Sequence, residues 1–113
     1  MAAWLKDDWN QLGCTAVMVQ NDEAAIGAME ALEAAGKRVP QDVSVVGFDG
    51  IDICEYARPR LTSVEVPLQE IGKTATEILL RQLDEKHFEI EHAVLPTGVC
   101  VRESTSPPAN SFQ

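Results

Sequence analysis

No apolar run in this sequence approaches the roughly 20 residues that a membrane-spanning helix needs, which predicts a soluble chain. Positive charge is scarce too: 9 Lys and Arg stand against 18 Asp and Glu, for a formal charge of −9. Such a surface repels a phosphate backbone, so any action on DNA must fall to another segment. Cysteine is limited to Cys14, Cys54 and Cys100. An odd number, widely spaced and without a C-x-x-C pair, makes neither a disulfide framework nor a redox motif and points to free thiols in a reducing compartment. The early charges Lys6, Asp7 and Asp8 leave no apolar core of signal-peptide length, so a cytoplasmic location is expected. Phosphate loops, nucleophile motifs, internal repeats and low-complexity tracts are missing, and with them the usual marks of an enzyme.

What remains is one domain's worth of chain, 113 residues of ordinary globular composition. Leu5, Trp9 and Leu12 recur at helical spacing and Gly13 ends the pattern. Thr15 to Val19 is a short apolar run suited to a strand buried on both faces, the setting of a parallel sheet. Asn21 and Asp22 offer an N-cap, Glu23 favours the first turn, Ile26, Met29 and Leu32 form an apolar stripe, and Gly36 closes that helix. Val43 to Val46 reads as a second buried strand, followed by a turn from Gly47 to Gly50. Ile53 to Ala57 suits a brief helix and Leu61 to Val66 a third strand, ended by Pro67. Ile71, Ala75, Ile78, Leu79 and Leu83 make the clearest amphipathic helix, over Leu68 to Leu83. Ala93 to Leu95 and Val99 to Val101 read as a broken final strand, and residues 104–113 as a polar tail that frays. The fold class is α/β, a three-layer parallel sheet flanked by helices.

In open parallel sheets ligands bind beyond the carboxyl ends of the strands. Gln20, Asn21 and Asp22 follow the first strand and Asp49 follows the second. An amide and a carboxylate side by side at such an edge suit bidentate hydrogen bonding to neighbouring hydroxyls, as on a sugar. The plainer alternative is that Asn21 or Asp22 only caps the helix and Asp49 only shapes its turn. As an acid/base pair Asp22 and Asp49 lack any companion nucleophile. His87 and His92 flank an acidic loop at a spacing that matches no recognised metal site, and are read as solvated. Trp4 and Trp9, at helical spacing, fit core or interface better than sugar stacking. No catalytic residue, metal or cofactor is therefore assigned.

The run Asn21-Asp-Glu-Ala-Ala-Ile-Gly-Ala28 is followed by Gly36-Lys-Arg-Val-Pro-Gln-Asp-Val-Ser-Val-Val-Gly-Phe-Asp49. Together with Arg58-Pro-Arg-Leu-Thr-Ser-Val-Glu-Val-Pro67, the Gly72 helix and Leu95-Pro-Thr-Gly-Val-Cys-Val-Arg-Glu-Ser104, it resembles the LacI/GalR family of bacterial transcription regulators. Five motifs in register carry the likeness from about Thr15 to Thr105. The resemblance implies that residues 1–113 are the C-terminal lobe of a periplasmic-binding-protein-like effector domain, with the DNA-binding head and most of the first lobe absent. It implies a small-molecule effector, a saccharide by family habit, and operator DNA reached only through the absent head. It also implies effector contacts from Asn21, Asp49 and Leu68, a structural role for Asp22, and a dimer interface that includes Ile26, Met29, Ile53 and Tyr56. A solute-binding protein of a sugar transport system shares the fold and is the alternative. With the first lobe absent, the Ile71 to Leu83 stripe is left uncovered, which predicts self-association.

Overall fold

The computed structural model describes residues 12–85 and 89–108. Its elements run β1 (Ala16–Met18), α1 (Asp22–Ala34), β2 (Ser44–Asp49), α2 (Ile53–Tyr56), β3 (Thr62–Glu65), α3 (Leu68–Glu85) and β4 (Gly98–Cys100). The helix expected over Trp4 to Leu12 lies, but for its last residue, outside the described residues, as do Trp4, Trp9 and His87.

Strand order in the sheet is β1-β2-β3-β4. The first three strands are parallel, with Val17 opposite Val45 and Val46 opposite Thr62. The wholly parallel sheet expected from the sequence is corrected at β4, which pairs antiparallel with β3 through Val64 and Val99. Connectivity explains the reversal. The chain leaves the carboxyl end of β3 into α3 and returns to the sheet from that same end, so it can only run back along its neighbour. The stretch Ala93 to Leu95 forms no strand and leads into β4 as extended chain.

Helix α1 begins and ends on its own sequence signals. Asn21, with an extended backbone, accepts the Ala24 N–H on its side chain, and Asp22 and Glu23 complement the helix dipole. At the other end Gly36 takes φ +75°. Its N–H reaches Glu33 O and that of Lys37 reaches Leu32 O, the paired bonds of a Schellman stop.

The core gathers Ala25, Met29 and Leu32 of α1, Val43 and Val45 at β2, Cys54 and Ala57 at α2, and Leu61 before β3. Strand β2 is central and its first two residues are buried. The double burial expected for the first strand does not occur: β1 is an edge strand, and Met18 is 62% exposed. Fraying from Ser104 is likewise corrected as far as Ser106. Ser104 is fully buried; its carbonyl accepts the Val45 N–H, its hydroxyl donates to Val45 O and accepts the Thr62 N–H. The tail therefore occupies the place beside β2 that β3 has not yet reached, satisfying backbone groups that would otherwise be buried alone. Ser106 continues the lock through Ser44.

Among the described residues no helix is long and apolar enough to cross a membrane, and no three His, Cys, Asp or Glu side chains gather as a metal site.

Candidate functional site

The carboxyl ends of β1 and β2 bring Asn21 and Asp49 to the same edge of the sheet. Asp49 closes β2 with φ +107°, a backbone conformation uncommon for any residue but glycine. Strand β2 runs three residues further than its apolar signal, so Gly47 is not a turn residue. A Cβ at Gly47 would fall 2.3 Å from Asp22 Oδ1, and the missing side chain makes room for that carboxylate. The turn glycine is Gly50, at φ +74°, where a Cβ would meet the Glu65 backbone at 2.9 Å.

Asp22 is fully buried beneath this turn. Its Oδ1 accepts the Ser63 hydroxyl at 2.5 Å and its Oδ2 accepts the Ile51 N–H at 2.8 Å. Ser63 Oγ in turn accepts the Gly50 N–H at 3.2 Å. One carboxylate thus ties α1, β3 and the β2–α2 turn together, the structural role that the family resemblance implies for it. Burial, and secondarily the Asp22 carboxylate, push the neighbouring Cys54 thiol up to about 11. It is held neutral in the core and is no nucleophile.

Asp49, Gly50, Ile51, Val66 and Leu68 line an open cavity of about 560 Å³. Asp49 and Leu68, two of the three expected effector residues, are therefore brought together. Asn21 is not in its wall, and its carbonyl oxygen is occupied by the helix cap. Among the described residues nothing donates a hydrogen bond to the Asp49 carboxylate. Asp52, Gln69 and Glu70 share the wall with Asp49, and Ile51, Val66, Pro67 and Leu68 supply its apolar part, a set of acceptors for hydroxyl hydrogens beside a surface that can pack a ring face.

A second groove, about 770 Å³, is lined by all four residues expected at the dimer interface, with Arg58 and Pro59 at its end. Met29 is only 5% exposed and belongs to the core, so Ile26, Ile53 and Tyr56 present the surface; Tyr56 is 78% exposed. Sequence reading missed Ser63 and Ser104, whose partners lie 41 and 59 residues away. Nothing local marks either serine as buried.

A family model described as a periplasmic binding protein-like domain matches residues 1–105. The chain is 38% identical over 95 residues to the ribose operon repressor of Halalkalibacterium halodurans, covering 84% of this chain and 29% of that protein. Among solved structures it is similar to a LacI family transcriptional regulator from Enterococcus faecium with bound ribose. The TM-score is 0.80 at 40% identity, over 94% of this chain and 38% of the other. It is also similar to a dimeric Lac repressor, with a TM-score of 0.80 at 32% identity, over 95% and 38% of the two chains. The chain spans under a third of the length of the curated relative and under two-fifths of each solved one.

Proposed function

The chain belongs to the family of periplasmic binding protein-like domains, in the form that LacI-family regulators carry, and from that premise we propose that it is the effector-sensing lobe of a cytoplasmic transcriptional regulator. The ligand is a small saccharide. One observation carries this reading: the Asp49 carboxylate, at the carboxyl end of a central parallel strand, faces a cavity shared with Leu68 and has no donor of its own among the described residues. The neighbour that holds ribose has this fold at 40% identity.

In the mechanism proposed, hydroxyls of the sugar donate to Asp49 and Leu68 packs against its apolar face. The sugar shifts the regulator between two lobe arrangements by the difference in its affinity for them. Operator DNA is held by a head outside this chain, since a surface of net charge −9 repels phosphates. Dimerisation uses the groove at Ile26, Ile53 and Tyr56. The relatives compared above are named as regulators, which favours this reading over a transport protein with the same fold.

The test is a gel shift with the protein as its gene encodes it and the DNA upstream of that gene, run against D-ribose, lactose, cellobiose and a purine. A saccharide that alters the shift is expected. A response to the purine alone, or to none of the four, would contradict the reading.

A further inference from the structure

Asp22 and Ser63 are buried polar side chains that no part of the proposed ligand contact uses. An ionisable group placed in a core costs desolvation, and apolar packing of similar volume often does as well for stability. What the pair does uniquely is local. Its hydrogen bonds end on Gly50 and Ile51, the two residues that follow Asp49. Asp49 itself holds a φ of +107°, and a backbone in so sparse a region persists only when its surroundings over-determine it. The sequence commits two glycines to the same arrangement, Gly47 to admit the Asp22 carboxylate and Gly50 to pass close against Glu65.

We propose that the buried Asp22–Ser63 pair is a latch that holds the Asp49–Gly50–Ile51 turn in its ligand-ready geometry, making both residues positioning residues for saccharide affinity. The inference rests on the assignment of Asp49 as a ligand contact. Ser63 is the better residue to test, because its hydroxyl both donates to Asp22 and accepts from Gly50, while its removal leaves the core volume nearly unchanged.

The experiment compares the protein as encoded by its gene with Ser63→Ala, Ser63→Thr, Asp49→Ala and the Ser63→Ala/Asp49→Ala double variant. D-ribose titration by calorimetry is paired with amide hydrogen exchange on the ligand-free protein. In the wild type, the Gly50 and Ile51 amides are expected to be protected. Ser63→Ala should speed their exchange while Val45 stays protected, and should weaken ribose binding about five- to tenfold, the scale of one buried hydrogen bond. Ser63→Thr, which keeps the hydroxyl, should restore both. In the Asp49→Ala background Ser63→Ala should change affinity no further. A structural role alone would lower the melting temperature without this dependence on Asp49. The proposal is overturned if the two amides are unprotected in the wild type, if Ser63→Ala leaves their exchange unchanged, or if its affinity loss is undiminished beside Asp49→Ala. If the wild type takes up no ribose, the choice of ligand fails, unprotected Gly50 and Ile51 amides still overturn the latch, and the affinity comparison is made with lactose and cellobiose.

Discussion

Helices α1 and α3 are both amphipathic, yet they have opposite fates in the same chain. α1 buries Asp22, Ala25, Ala28, Met29 and Leu32 against β2 and α2. α3 is longer, at 18 residues, and among the described residues buries none fully. Leu79, Leu80 and Leu83 are each more than half exposed. Beyond its first turn it faces the return segment across an open groove of about 320 Å³ lined by Ile71, Ile78, Ala93 and Leu95. Propensity is not what differs, since most helical stability comes from packing an apolar face and not from the residues' intrinsic preference. The comparison separates a packed unit, made of β1–β3, α1, α2 and the tail, from an arm whose apolar stripe is left largely uncovered by the described residues. Stability should therefore live in the first region and association beyond the dimer in the second.

The largest expected effect tests that division directly. Leu61→Ala empties a fully buried core position and should cost about 2–5 kcal/mol. Leu79→Ala, on the exposed stripe, should stay within about 0.5 kcal/mol. Urea unfolding of the two variants reads both, and equal losses would break the comparison. Next in size is Ser104→Ala, which strands the Thr62 N–H and deprives Val45 O of its donor. Its expected cost is about 1–3 kcal/mol in the same assay, and a neutral outcome would return the tail to the status of a frayed end. Leu79→Glu with Leu83→Glu should leave unfolding nearly unchanged but, in sedimentation, remove any association beyond the dimer formed at the Ile26, Ile53 and Tyr56 groove. A wild-type chain that sediments no larger than that dimer would sink the arm's proposed role.

The smallest effect concerns pH. Hydrogen bonds from the Arg38 side chain and backbone N–H, at about 2.8 Å, hold the Asp42 carboxyl well below the usual carboxylate range. Arg60 also lowers the Glu103 carboxyl, chiefly through its backbone N–H. Groups depressed in the folded state stabilise above their unfolded values, near 4, and that stability is lost as pH falls through the lower folded values. Both carboxylates are solvent-screened, so their share is slight. Melting temperature should fall between about pH 4 and pH 2 slightly less steeply in Asp42→Asn than in the wild type; a steeper fall would reverse the sign of the argument.

Much of the packed unit could be read from local pattern. The Asn21 cap, the Gly36 stop, the strand–helix–strand order and the placing of Asp49 past β2 each depend on residues within a few positions of one another. The misread features all depend on distant partners. Gly47 resembles a turn glycine until Asp22 is seen to fill the space beside it. Val17 and Met18 read as buried because apolar runs suit central strands, but burial requires a neighbour on each side, and β1 has one. Ser104 lies in a polar, Pro-containing stretch that composition assigns to solvent, while its actual partners are 42 and 59 residues away. The direction of β4 followed from the path of α3, which no short window contains. Of the residues expected to meet the effector, Asp49 and Leu68 line one cavity and Asn21 lies outside its wall, whereas Ser63, which underlies the turn, was not legible.

The most direct test of the account is a calorimetric titration of the protein as its gene encodes it, and of its Asp49→Ala variant, with D-ribose, lactose and cellobiose. The account predicts that at least one saccharide binds the wild type and that the variant binds it roughly 10- to 100-fold more weakly, as expected for a lost hydrogen bond to a charged group, with its melting temperature retained. Equal affinity in the two proteins, or no saccharide bound by either, would contradict it.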